Sequence, residues 1–234
     1  MAQELSVRVK EIIPRTYNVK SVRLDIGQEA EFKAGQFLAV TLQDNPGLKR
    51  YLSISSSPTE KSYLEFTKKL TESAFSKVLL KLKPQDPVKI QYPMGKFTLD
   101  DAYTNIAFLS GGIGITPIRS IVKYVVDKNL GTDMVLIYAN RSVKDIVFKE
   151  DFDALQKVYP KLKVVHVLGE PAPDFKCIPG LINVQVIKNE VSDYLNRRFY
   201  LCGPPQMVEV MGKILTDGLK LAKENIITEN FQGY

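Results

Sequence analysis

The hydrophobic pattern of this chain changes period once, near residue 100, and that change constrains the fold more than any other feature. Before it, Leu5–Ile13, Asn18–Leu24 and Gln36–Leu42 are alternating or β-branched runs separated by glycine and aspartate. Arg50–Ser56, Tyr63–Lys69 and Pro87–Tyr92 continue in the same way. One stretch, Glu72–Leu82, instead places Phe75, Val78, Leu79 and Leu82 at helical spacing. Short strands at regular intervals with one helix predict a small antiparallel β-barrel. After the change, Ile106–Leu109, Met134–Tyr138, Leu162–Leu168 and Phe199–Cys202 are compact apolar runs of the kind found in buried parallel strands. Helical patterns alternate with them at Pro117–Asp127, Phe148–Val158, Val184–Tyr194 and Pro205–Ala222. Strand–helix alternation predicts an α/β doubly wound parallel sheet. The expectation is therefore two domains, residues 1–100 and 101–234, with the boundary near Leu99–Thr104.

Composition narrows the chemistry. The 234 residues supply enough apolar material for large cores without disulfides or a structural metal. Two cysteines, Cys177 and Cys202, cannot form an iron–sulfur cluster, and a single histidine, His166, leaves little metal chemistry beyond carboxylate sites. His166 falls in a predicted strand, where a structural role is expected. No apolar run approaches the ~20 residues of a membrane span. The first ten residues carry charges every few positions and have no leader-like apolar centre, so a cytoplasmic location is expected. Of the formal +6, most arises between Lys49 and Lys96, with ten basic and four acidic residues. A solvated surface accounts for this excess, and so does a face for phosphates or an acidic protein partner. Nucleic acid is not expected, because the lysines carry no interleaved aromatics and no recognition motif.

Three segments carry chemistry. Ser110-Gly111-Gly112-Ile113-Gly114-Ile115-Thr116-Pro117 follows a predicted strand and opens a helix. Glycines there allow close backbone approach, Thr116 is expected as the N-cap and Pro117 as the first helical residue, and the helix start suits a pyrophosphate. Leu201-Cys202-Gly203-Pro204-Pro205 makes a similar transition, which puts Cys202 at the carboxyl end of a strand, where open α/β sheets place ligands. Arg50-Tyr51-Leu52-Ser53-Ile54-Ser55-Ser56 sets a guanidinium and several hydroxyls on one strand, suited to phosphate and to ring heteroatoms. Taken singly, each also reads as a plain glycine turn, a small core cysteine or a polar edge strand.

Together the segments resemble the ferredoxin–NADP reductase superfamily, flavoproteins that exchange electrons between nicotinamide and flavin. Arg50-x-x-Ser53-x-x-Ser56 is similar to the family's flavin strand, and Ser73-x-x-Ser76-x-x-Leu79 to its Gly-x-x-Ser-x-x-Leu helix start. Gly111-Gly112-x-Gly114-Ile115-Thr116-Pro117 is similar to its nucleotide loop, and Cys202-Gly203-Pro204-Pro205 to its nicotinamide turn. The resemblance implies that Arg50, Ser56, Ser73 and Ser76 hold the flavin phosphates, with Tyr51, Leu52 and Lys68 as further flavin contacts. It implies that Ser53 lies near flavin N5. Gly111, Gly112, Gly114, Thr116 and Pro117 would shape the pyrophosphate site, Arg141 the adenosine ribose site, and Cys202, Gly203 and Pro204 the nicotinamide site. Glu229-x-Phe231 resembles the family's acidic–x–aromatic ending, so Phe231, with Tyr234 as its rival, would cover the flavin ring. The sequence departs from the family at Leu52, where a tyrosine is usual, and at Ser73, where a glycine is usual.

The implied activity is an NAD(P)H-dependent flavin oxidoreductase with FAD rather than FMN, and with NADH or NADPH as co-substrate. Electrons would pass to a separate acceptor: a ferredoxin, a flavodoxin, an oxygenase component or free flavin. The alternative is a flavin-binding electron-transfer subunit without turnover of its own.

Overall fold

The computed structural model describes residues 2–27, 29–100 and 102–230. Phe231 and Tyr234, both expected near the flavin, lie outside the described residues. Contacts divide the chain into two compact units, residues 1–99 with 116–124, and residues 100–115 with 125–234.

The first unit holds β1 (Gln3–Thr16), β2 (Val19–Asp25), β3 (Phe37–Leu42), β4 (Lys49–Ser53), β5 (Leu64–Lys69) and β6 (Pro87–Met94), with α1 (Ala74–Leu79) between the last two. They form one sheet in the order β4-β3-β6-β1-β2-β5, antiparallel throughout. A bridge between Ile54 and Phe66 joins the two edges, so the sheet nearly closes into the expected barrel. Alternate residues such as Val88, Ile90 and Tyr92 point into a core shared with Val22, Leu38, Ile54 and Phe66. The predicted strand Arg50–Ser56 is in fact two pairings. It follows β3 as far as Ser53, then crosses to β5, where the Ser55 N–H donates to the Glu65 carbonyl (2.7 Å). Helix α1 is shorter than its pattern because Ser73 caps it and its last turn tightens into i→i+3 bonds at Lys81 and Leu82.

The second unit is built on β7 (Asn105–Gly111), β8 (Asp133–Asn140), β9 (Leu162–Leu168), β10 (Ile178–Pro179), β11 (Arg198–Gly203) and β12 (Ile226–Asn230). All pairs are parallel, in the order β10-β9-β8-β7-β11-β12. The order reverses beside β7, the first strand, as a doubly wound sheet requires. Helices α2 (Ile115–Lys128), α3 (Lys149–Val158), α4 (Val184–Glu190) and α5 (Pro205–Lys213) connect the strands. Pro205 starts α5 as expected, but the helix does not run to Ala222: a π-helical turn at Ile214–Gly218 ends it, and the chain turns into β12. Thr116 is not the N-cap of α2. A 3-10 turn at Gly112–Gly114 leads into a helix that begins at Ile115, which leaves Thr116 buried at the second helical position and Pro117 at the third. Proline is harmless there, since the first N–H groups of a helix have no partner within it.

Candidate functional site

In the first unit, strand alternation puts Arg50 and Leu52 on one face of β4 and Tyr51 and Ser53 on the other. Leu52 packs against the barrel core, whereas Tyr51 is exposed and meets Phe37 edge-on at 6.0 Å. The Arg50 guanidinium lies 5.6 Å from the Phe75 ring at the start of α1. The buried Lys68 amine donates to the Lys69 carbonyl (2.7 Å). Its pKa is pushed down to about 8, by burial first and then by the charges of Arg50 and Lys69. At the start of α1, the Thr71, Ser73 and Ser76 hydroxyls bond one another at 3.0–3.3 Å, and the Ser73 oxygen accepts from the Ser76 N–H. Cations held this close, next to a hydroxyl cluster, suit a phosphate.

The strand after Arg50 is fixed from two sides. Ser55 and Ser56 each bond Glu65, whose carboxylate is fully buried and receives Arg15 (3.1 Å), Arg23 (3.0 Å) and the Ser55 hydroxyl (2.9 Å). From α2, the Arg119 guanidinium donates to the Ser55 carbonyl (3.0 Å) and pairs with Glu60, while the Ser120 hydroxyl donates to the Ser56 carbonyl (2.6 Å). Arg119 and the backbone hydrogen bond from Ser57 hold the Glu60 carboxyl below its usual range against the opposing effect of burial. Within this braced segment the Ser53 hydroxyl is buried and, among the described residues, has no hydrogen-bond partner. A buried polar atom left unpaired costs roughly 1–3 kcal/mol. Its partner is therefore expected from a ligand.

The second unit brings two turns together. A Cβ on Gly114 would lie 2.3 Å from the Cys202 carbonyl oxygen and 2.6 Å from the Gly203 Cα, so the glycine turn after β7 and the turn after β11 touch backbone to backbone. Gly112 sits at φ 52° with open space where a Cβ would point. In register across three adjacent strands, Ser110 on β7 pairs with Cys202 on β11, and Cys202 with Glu229 on β12. Register neighbours in a parallel sheet share a face, so these three side chains form one row. Among the described residues, Ser110 Oγ and Glu229 Oε2 have no hydrogen-bond partner. Burial, helped by the Glu229 charge, pushes the Cys202 thiol well up, so it stays protonated. Burial alone lifts the Glu229 carboxyl to about 7. Past the strand ends, Arg141 directly follows β8 and Glu170 lies two residues after β9. The Arg141 Nε donates to Glu170 (2.8 Å) and the Glu170 N–H to the Arg141 carbonyl (2.7 Å).

Two family models match the chain in tandem: the oxidoreductase FAD-binding domain over residues 4–99 and the oxidoreductase NAD-binding domain over residues 108–213. The chain belongs to the ferredoxin–NADP reductase superfamily. It carries the FAD-binding and NAD-binding domains of oxidoreductases. The glycine betaine monooxygenase reductase subunit of Pseudomonas aeruginosa is 29% identical over 220 residues, 89% of this chain and 59% of that protein. A component of the Na(+)-translocating NADH-quinone reductase of Pseudomonas paraeruginosa is 30% identical over 164 residues, 68% of this chain and 40% of that protein. The chain thus spans only about 40–59% of these relatives' length. The fold is shared with a ferredoxin NADP+ reductase from Neisseria gonorrhoeae with bound FAD and NADP. The TM-score is 0.84 at 20% identity, covering 98% of this chain and 99% of that one. It is shared also with the cytochrome b5 reductase domain of Ulva prolifera nitrate reductase (TM-score 0.86, 19% identity, 97% of both chains).

Sequence reasoning missed Ser110 as a site residue, although the glycine segment that begins with it stood out. Only the register with Cys202 and Glu229 singles it out. Glu170 was missed as well, because its approach to Arg141 joins two loops 29 residues apart. Among the described residues, no helix is long and apolar enough to cross a membrane, and no group of three metal-ligating side chains is found.

Proposed function

We propose that this chain transfers a hydride from NADH to FAD and passes the electrons to a separate acceptor, with residues 1–100 as the FAD domain and 101–234 as the dinucleotide domain. The reading is carried by the row Ser110–Cys202–Glu229 beside the glycine turn, in which Ser110 and Cys202 are buried and, among the described residues, Ser110 Oγ and Glu229 Oε2 have no hydrogen-bond partner. A bound flavin supplies the redox chemistry, since it accepts two electrons and releases them singly or in pairs. The protein's part is to bind, orient and exclude water. Arg50, Lys68, Ser73 and Ser76 hold the flavin phosphates, with Ser56 keeping the strand in place. Ser53 donates its hydroxyl to a ring heteroatom at the reacting edge. Gly111, Gly112 and Gly114 leave room for the coenzyme pyrophosphate at the start of α2, where Thr116 and Pro117 shape the turn. Cys202, as a neutral thiol, packs beside the nicotinamide with Gly203 and Pro204, and Glu229 hydrogen-bonds there. Phe231, the aromatic of the Glu229-x-Phe231 ending, is proposed to cover the flavin, and Tyr51 and Leu52 to contact it.

For the coenzyme, Glu170 favours NADH. Its carboxylate accepts from a ribose hydroxyl, neutralises Arg141 and repels a 2′-phosphate. Removing it in Glu170→Ala is expected to improve relative use of NADPH roughly fivefold, the scale of an exposed charge pair.

For the acceptor, two cysteines exclude a cluster within this chain. Lys69, Lys81, Lys83 and Lys96 are exposed on the barrel unit and suit an acidic electron-transfer protein, and free flavin is the other candidate.

The test is anaerobic mixing of the purified chain with FAD and NADH. Rapid bleaching of flavin absorbance, faster with NADH than with NADPH, is the expected result. No bleaching with either coenzyme would sink the proposal and leave a relay protein without turnover, the reading that Leu52 favours.

Glu229 adds a pH dependence. Its pKa in the folded chain, about 7, lies above the ordinary carboxyl value of 4.5, so the folded chain holds this proton more tightly than the unfolded one. The associated stability is complete at low pH and is lost as pH rises from about 4.5 through 7. Hydride transfer is expected to show an inflection near pH 7 that disappears in Glu229→Gln, and the same variant flattens the fall of Tm across this window.

A further inference from the structure

We propose that the cavity along the outer edge of β9 is a second ligand site, and that it takes a flat aromatic carboxylate. The cavity exists because the sheet stops early. The two-residue strand β10 pairs only with Val167 and Leu168, which leaves the earlier residues of β9 without a described strand on that edge. Lower on the edge, Gln156 of α3 stands in for a missing strand, its side-chain oxygen accepting from the Val164 N–H (2.7 Å). Between α3, β9 and the 175–178 segment lies a volume of about 540 Å³, within the range of small-molecule pockets. None of its lining residues belongs to the glycine turn, the Cys202 turn or Arg141.

Three features of the wall define the ligand. His166 and Phe175 present adjacent rings, centroids 5.2 Å apart and inclined at 55°, which suit a flat apolar body. The His166 Nδ1 is buried and has no hydrogen-bond partner among the described residues, so a polar group on the ligand would relieve its desolvation. Burial holds the imidazole below its usual range against the pull of Asp153, so it faces the ligand as a neutral group. Of the three lysines lining the cavity, Lys149 pairs with Asp153 and Lys163 with Glu190, whereas Lys176 has no carboxylate partner among the described residues. With Lys149, which lies 5.6 Å from the Phe175 ring, and Lys163 both paired, the wall carries one unmatched cation, which selects a monoanion.

The half-buried Cys177 lines the same cavity and reports on it, while the buried Cys202 serves as an internal control. The experiment follows iodoacetamide alkylation of each thiol in the full chain by peptide mass spectrometry, with 2-naphthoate as the probe. Saturating 2-naphthoate is expected to slow alkylation of Cys177 severalfold and to leave Cys202 unchanged. Lys176→Glu, at an exposed position, should weaken the protection roughly fivefold. His166→Phe, which keeps a ring and deletes the nitrogen, should weaken it by a similar factor. Unchanged Cys177 alkylation in 2-naphthoate would overturn the proposal. So would equal protection by the neutral 2-naphthamide, which would remove the anion from the argument. Protection by ADP would assign the cavity to the coenzyme's adenosine end and overturn it as a separate site. The proposal does not rest on the flavin or coenzyme reading, and failure of either leaves the other standing.

Discussion

Gly114→Ala is expected to lower NADH affinity about a hundredfold, the scale set by displacing a binding group by ~1 Å. The added methyl would sit 2.3 Å from the Cys202 carbonyl oxygen, and the atoms it meets are backbone, which cannot rotate away. The turn after β7 and the turn after β11 must therefore separate, and the N–H groups at the start of α2 lose their alignment. Gly212→Ala on α5 is the control: its Cβ meets nothing within 4 Å and it has no part in the site, so binding is retained and stability changes by no more than about 1 kcal/mol. Fluorescence titration with NADH reads both variants. Wild-type affinity in Gly114→Ala would mean that this turn does not hold the coenzyme.

The second large effect lies in the barrel. Glu65→Ala is expected to destabilise the folded chain by about 3 kcal/mol, because breaking a buried ion pair strands its partners. The Glu65 carboxylate is wholly buried; Arg15 and Arg23, 14% and 24% exposed, would both lose it, and among the described carboxylates Arg23 would keep only Glu11 (2.8 Å). The low end of the usual range of about 3–5 kcal/mol applies because both arginines reach water. The Ser55 hydroxyl loses an acceptor in the same step, so the segment from Ser53 to Ser56 loosens and FAD affinity should fall with stability. Urea unfolding with a parallel FAD titration measures both. A stability change below about 1 kcal/mol would show that water compensates the arginines.

Much of this was legible in the residues. The alternation before residue 100 and the compact apolar runs after it follow from the two periods of side-chain direction, about 2 in a strand and about 3.6 in a helix. Pro205 marks the start of α5 because a first-turn proline needs no N–H partner. Arg50, Ser53 and Cys202 stood out because their types and spacings are chemical before they are structural. Boundaries were less legible. Thr116 has the chemistry of a cap, but the backbone preferred a 3-10 turn through Gly112–Gly114 and began the helix at Ile115, ahead of that threonine. Strand β12 escaped notice because Ile226 and Ile227 are followed by Thr228, Glu229 and Asn230, a run too short and too polar to declare itself.

The sequence by itself determined the two architectures and their order and singled out the candidate segments, since local pattern and turn residues encode these within a few positions. Only the tertiary structure decided that Ser110, Cys202 and Glu229 form one row, that Gly114 lies against the backbone of Cys202 and Gly203, and that Glu65 gathers two arginines beneath the Ser53–Ser56 strand. The physical reason is common to all three. Strand order and register bring together residues up to 119 positions apart, as from Ser110 to Glu229, and no local periodicity carries that information.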